Sequence, residues 1–170
     1  MSPGNLYRFF PGKLDIAEQI ADENTDKRLE NVRAVIRDKH LSPIEKLQAF
    51  LLDSLQTTYQ TLDQDPRMAE IAELISRERP EFTERQMAKE RALIAEILSL
   101  GNASGTFNVD DILFTARMVQ AVTLKYRYPQ LHSTLTLPLL EKELVGVVDL
   151  IVSGLHVRQS VPTEQGLVPA

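Results

Sequence analysis

Prolines at helix-start positions constrain this chain more than any other feature. Ser42-Pro43 and Asp65-Pro66 each pair a capping side chain with a proline at the first helical position, where the missing N–H costs nothing. Ser2-Pro3 repeats the arrangement at the N-terminus. Pro11-Gly12, Pro80 and Pro129 mark further breaks. Between these marks, apolar residues recur with helical spacing, and no run alternates with period two over a useful length. The expectation is an all-α fold, a helical bundle with no sheet.

The blocks follow in order. A short helix passes through Leu6, Tyr7, Phe9 and Phe10 and is broken at Pro11-Gly12. A second runs from near Lys13 to about His40, with a polar stretch at residues 22–28 read as a solvated join. A third begins at Pro43 with an apolar stripe through Leu47, Phe50, Leu51, Leu55, Tyr59 and Leu62. A fourth begins at Pro66, with Met68, Ile71, Ala72, Leu74 and Ile75 on its core side. A fifth spans about Phe82 to Leu100, with Gly101 expected as the residue that ends it. A sixth runs from Val109 to Tyr128, opened by Asn108 and Asp111 as a weak capping box. The seventh spans Leu137 to Leu155. These spans and stripes are read from the residues alone.

The sixth helix is apolar almost all the way round, and such a helix has to be covered on every side. In a chain of 170 residues a partner subunit is the expected extra cover. The seventh helix carries the stripe Leu140, Leu144, Val147 and Ile151, with Gly146, Ser153 and Gly154 small enough for close approach. The last two helices are therefore the expected homodimer surface, with Leu140, Leu144, Gly146, Val147 and Ile151 as interface residues. Arg117, on the sixth helix, is either an interface ion-pair partner or an anchor for an anionic ligand. The interface is the favoured reading.

Composition excludes several classes. There is no cysteine, hence no disulfide, thiol catalysis or cysteine-ligated zinc. The apolar stretch from Leu144 to Leu155 is too short for a membrane span and holds Asp149, so no membrane partner and a cytoplasmic location are expected. Arg8 and Lys13 make the first thirteen residues net +2, within a chain of net charge −5. An acidic body argues against broad coating of nucleic acid but leaves room for a small basic contact surface. His40, His132 and His156 lie far apart without metal-ligand spacing. No nucleophile elbow, zinc-protease motif or phosphate-binding glycine loop occurs. No catalytic residue, cofactor or metal is expected.

The opening residues carry a specific pattern. Leu6-Tyr7-Arg8-Phe9-Phe10-Pro11-Gly12-Lys13-Leu14-Asp15-Ile16 resembles the end of the DNA-binding domain of TetR-family transcriptional regulators. There a recognition helix closes in a turn reading roughly L-Y-x-x-F-x-x-K-x-x-L, and Ile16 stands here for the last leucine. The resemblance implies that a short helix enters the major groove by its N-terminal end. Ser2, Pro3, Gly4, Asn5, Tyr7, Arg8 and Lys13 are then the DNA-contacting residues, with Tyr7 and Lys13 on phosphates. The two helices that precede the recognition helix in that family are missing from this sequence. A misassigned start, a fragment or a shortened gene would each account for that, and the expected result is poor DNA binding by the chain as written.

The resemblance also implies a regulatory body that binds a small-molecule effector and dimerises, with double-stranded operator DNA as its other partner and repression as its usual sign. The implied organisation is residues 1–40 for a partial DNA-binding domain, 41–156 for the ligand-binding and dimerisation domain, and 157–170 for a disordered tail. Phe50, Tyr59, Met68, Met87, Phe114 and Met118, together with Tyr126, are the candidate pocket residues, although aromatics and Met at helical spacing more often fill a core. The alternative is a stand-alone helical interaction module that does not bind DNA.

Overall fold

The computed structural model describes residues 10–65, 67–127 and 134–155. Among them are six α-helices and one 3₁₀ turn, and no strand. The helices are α1 (Phe10–Arg37), α2 (Pro43–Gln64), α3 (Arg67–Glu78), α4 (Pro80–Ala103), α5 (Ile112–Val122) and α6 (Leu137–Leu155); the 3₁₀ turn is Leu124–Arg127. The all-helical expectation holds. The short first helix and the tail beyond Leu155 lie outside the described residues.

Local chemistry sets most boundaries. Ser42 caps α2 in a complete capping box: its hydroxyl accepts from the Glu45 N–H, and the Glu45 carboxylate accepts from the Ser42 N–H at 2.7 Å. Pro80 occupies the first turn of α4, with Arg79 as its N-cap. α1 ends at Arg37, three residues before the expected His40, where Asp38 accepts from the His40 N–H at 2.8 Å and starts a turn. Pro11-Gly12 does not break α1. Both residues sit in its first turn, where proline removes no intrahelical hydrogen bond.

Two further boundaries depart from the sequence reading. Gly101 lies inside α4, not after it; a Cβ there would sit 1.9 Å from Phe107 Cδ2. Its role is to admit the buried Phe107 ring against the helix. The left-handed residue of that loop is Gly105, at φ +73°. The sixth expected helix is split. Asp111, not Asn108, caps α5, accepting from the Phe114 N–H at 2.9 Å. At its other end the Thr123 hydroxyl donates to the Val119 carbonyl at 2.8 Å. The chain then tightens into the 3₁₀ turn, which buries Tyr126.

The bundle has two apolar centres. The main core joins Leu29, Val32 and Ile36 of α1 to Leu47, Phe50 and Leu55 of α2, Leu93, Ile94, Ile97 and Leu98 of α4, Ala116 and Val119 of α5, and Leu140, Leu144 and Val148 of α6. Each large side chain in it contributes roughly 1.5–3 kcal/mol by leaving water. A smaller centre joins Leu14 to Ile75 and Phe82. On α3 only Ile75 is buried, while Ile71 is exposed. α1 spans both centres, so the packing continues through the expected domain boundary near residue 40.

Gly101→Ala is expected to lower stability by about 2 kcal/mol, because Phe107 is enclosed and cannot yield. Urea unfolding of the two proteins measures the difference. Glycine-to-alanine in a helix otherwise stabilises, so an unchanged or raised midpoint would show that the ring moves aside.

Candidate functional site

The stretch of α1 read as a solvated join is helical and docked. Between the two apolar centres, α1 meets α4 through charges. Lys89 Nζ donates to Asp22 and Asp26, each at 2.7 Å, and the Gln86 amide donates to Asp22 at 2.5 Å. Nearer the start of α1, Arg79 pairs with Asp15 at 3.4 Å and Glu18 at 3.0 Å. Arg28 closes the series by pairing with Glu90.

Glu90 is the centre of the site. It sits on α4, is 6% exposed, and accepts from two guanidiniums, Arg28 of α1 and Arg127 of the 3₁₀ turn. Arg28 also reaches Asp53 of α2 at 3.4 Å. Three elements distant in sequence thus converge on one carboxylate. A charge so placed is tolerable only when paired, and removing one member of such a set leaves an uncompensated buried charge.

A cleft of about 190 Å³ opens above this cluster between α1, α2 and α3. Asn24, Thr25 and Arg28 line it from α1, and Met68 and Ala72 from α3. α2 contributes Ser54, Thr57, Thr58 and Thr61, one face at helical spacing, with Leu62 beside them. Ser54, Glu90 and Arg127 also line a smaller inner pocket of about 30 Å³, walled by Phe50, Ile94, Tyr126 and Leu144. Burial, then the charge of Glu143, pushes the Tyr126 phenol up, so it stays neutral. Gln120 borders this pocket, donating to the Met87 carbonyl at 3.0 Å and accepting from Arg91 at 3.0 Å.

A second depression, of about 520 Å³, lies on the outer side between α4 and α5. Leu113, Phe114, Arg91 and Arg117 line it, and Leu113 is 73% exposed. It holds no buried charge cluster and belongs to the outward face of α5.

The expected pocket residues separate. Phe50 lines the inner pocket, as does Tyr126, and Met68 lines the cleft. Tyr59 packs on the main core, and Met87 is half-buried and offers its carbonyl. Phe114 and Met118 are exposed on α5 and face away from the cleft, because Ala116 and Val119 take the inward positions of that helix. Of the expected interface residues, Leu140 and Leu144 are fully buried in the chain's own core and hold α6 to α2. Val147 and Ile151 are half-buried against the same core, while Gly146 and Arg117 are exposed. Ser2, Pro3, Gly4, Asn5, Tyr7 and Arg8, and the side chain of Lys13, lie outside the described residues. Among the described residues, no group of His, Asp or Glu is placed to hold a metal. No described helix is long and apolar enough to cross a membrane.

Sequence reasoning missed Arg28, Glu90 and Arg127, since no local pattern joins them. The Ser54, Thr57, Thr58 and Thr61 spacing was a usable signal: a hydroxyl stripe beside an apolar stripe on one helix.

The architecture is thus an all-helical bundle with an open cleft between α1, α2 and α3. The family model for tetracyclin repressor-like C-terminal domains matches residues 43–148, and the chain belongs to this TetR family of regulators. No curated protein matches the chain.

Two predictions follow from the charges. Glu90→Ala is expected to cost about 3–5 kcal/mol by removing the buried carboxylate that both guanidiniums share, read as a lowered urea midpoint; a loss within 1 kcal/mol would mean that their other contacts and water make up for it. The second concerns Asp22, whose carboxyl lies below the usual range because of the Lys89 hydrogen bond, then that from Gln86. Its stabilisation is therefore present at neutral pH and fades as pH falls through the lowered folded-state pKa. Lys89 is held above its usual range by Asp22, then Asp26, so its contribution persists through neutral pH and fades only in strong alkali. Asp22→Asn should be less stable than wild type at pH 7 and converge with it in acid. A constant gap across an acid titration of stability would remove this pair from the linkage.

Proposed function

We propose that this chain is the effector-sensing and dimerising body of a transcriptional regulator, a repressor that acts in the cytoplasm on double-stranded operator DNA. A small molecule enters the cleft over Arg28, Glu90 and Arg127. Arg28 lies on α1, and the segment preceding that helix carries the recognition-helix pattern. A ligand that engages Arg28 thereby biases the position of α1. Toward the start of α1 its ties to α4, Lys89 with Asp22 and Asp26 and Arg79 with Asp15, are solvent-accessible ion pairs, individually weak, whereas the Arg28–Glu90 pair at the cleft is buried. Coupling is reciprocal: the ligand weakens operator binding by the factor by which the operator weakens ligand binding. The functional division is residues 1–40 for DNA reading and its connection, 41–156 for sensing and dimerisation, and 157–170 for a tail. No catalytic step is part of this reading.

The observation that carries it is the cleft built around a buried charge cluster in a TetR-like domain. Dimerisation is supported by the outward faces of α5 and α6. Leu113, Phe114, Met118 and Val122 on one, and Leu139 and Leu150 on the other, are exposed large apolar residues. Phe114, Met118 and Val122 recur every four residues and so form one exposed apolar stripe on α5, which a solvated monomer seldom leaves. Gly146 and Gly154, each with open space where a Cβ would stand, leave room on α6 for a facing helix.

Sedimentation tests the dimer: the expected result is a dimer at micromolar concentration, dispersed by Phe114→Glu and weakened by Gly146→Leu. A monomer under those conditions sinks the interface, and an unchanged dimer constant in Gly146→Leu removes that residue from it. For DNA, the chain preceded by two further helix-turn-helix helices is expected to enrich a two-fold symmetric duplex from a random pool. In that protein Tyr7→Ala should weaken all duplexes about equally. Enrichment of no sequence would favour the stand-alone interaction module.

A further inference from the structure

We propose that the cleft takes a small uncharged molecule with an amide-like edge, both donor and acceptor, on a short apolar body, and that Glu90 keeps its two arginines when this ligand binds. This deepens the reading of the cleft as the effector site and rests on it.

The first ground is charge. Arg28 pairs with Asp53 and Glu90, and Arg127 pairs with Glu90 among its other contacts. Neither cation lacks an anion, and Glu90 does not lack a cation. An ion entering the cleft, of either sign, would give up hydration without meeting a counter-charge that is not already engaged, and that exchange is unfavourable. A neutral ligand has only hydrogen bonds to exchange. The second ground is the character of the walls. Among the described residues, the side chains of Asn24, Thr25, Ser54, Thr57 and Thr58 make no hydrogen bond within the chain, and each of them can both donate and accept. The Thr61 hydroxyl donates to the Thr57 carbonyl at 2.8 Å, so what it offers the cleft is its oxygen as an acceptor. A ligand that replaces water here has to bring a donor and an acceptor together. Arg28 gives one N–H to Asp53 and another to Glu90 and has further N–H groups, so a ligand carbonyl can join it without moving either carboxylate. The third ground is shape. Leu62, Met68 and Ala72 give the cleft an apolar side opposite its polar edge. At about 190 Å³ the space falls below the roughly 300 Å³ where drug-sized sites begin, which limits the ligand to about the size of benzamide. The inner pocket, at about 30 Å³, has room for a water and not for a ligand.

A closed charge balance gives a consequence that a general polar pocket would not: changing the balance should change which ligand is preferred. Benzamide, benzoate and benzamidinium share a size and shape and differ in charge, and toluene lacks the polar edge. Ligand-observed NMR titrations of the full chain with these four, at pH 7 and constant ionic strength, test the proposal. Benzamide is expected to bind about tenfold more tightly than either ion or toluene. Thr58→Val, which keeps the shape and removes a hydroxyl, should weaken benzamide about fivefold, the loss of one neutral hydrogen bond, and leave toluene unchanged. Asp53→Asn, at a partly exposed position, unbalances the cluster by one positive charge and should improve benzoate about fivefold relative to benzamide. Either ion binding wild type as tightly as benzamide overturns the neutral class while leaving the cleft a ligand site. Toluene binding as tightly, or benzamide unaffected by Thr58→Val, overturns the polar edge. An unchanged benzoate-to-benzamide ratio in Asp53→Asn overturns the charge balance as the source of selectivity. Benzamide binding that survives Ala72→Trp, which fills the cleft, overturns the effector-site reading itself. No binding of benzamide to wild type overturns the proposal.

Discussion

Glu90 has almost no contact with water, yet it lies one turn from Leu93 and Ile94 on a helix that supplies much of the main core. An ionised group at that depth needs partners, and it has two, delivered by elements far from it in sequence. This requirement fixes more than one side chain. Arg28 must come inward from α1, which sets the rotation of α1 about its axis. Arg127 must come inward too, and the shift from α helix to 3₁₀ turn after Thr123 brings it there while burying Tyr126. The cleft over the cluster exists because α1, α2 and α3 are held around a charged floor rather than collapsed on an apolar one.

The same cluster divides α1 into parts with different holds. Its C-terminal half carries Leu29, Val32 and Ile36 into the main core, and its N-terminal turns rest on the small centre around Leu14, Ile75 and Phe82. Between and beside these, the contacts to α4 are ion pairs. Apolar burial therefore holds α1 at both ends, and the screened charges between give directionality with little energy.

The last helices show what periodicity can and cannot convey. The apolar stripe of α6 was legible, and its span agrees from Leu137 to Leu155. Which partner the stripe meets was not. Leu140 and Leu144 are spent within the chain, against α2, and the residues that α6 leaves exposed are the less conspicuous Leu139, Gly146 and Leu150. On α5 the all-round apolar character was correct and informative, since an inward set and an outward set coexist. Phe114 and Met118, expected to line a pocket, stand exposed because Ala116 and Val119, smaller and more easily enclosed, occupy the inward side, and Phe114 lines the outer depression.

By itself the sequence determined the elements and the class: proline and serine caps start helices through local hydrogen bonds, helical spacing marks apolar faces, and the opening pattern pointed to the TetR family that the match over residues 43–148 supports. These are short-range effects, carried by residues within a turn or two of one another. The tertiary structure alone decided the site. Arg28, Glu90 and Arg127 are ordinary helix-surface residues in any local window, and Gly101 reads as a terminator until Phe107 is seen against it. Burial of a charge and close approach of a ring to a backbone are properties of the packed bundle, since the groups that impose them come from parts of the chain that no local pattern connects.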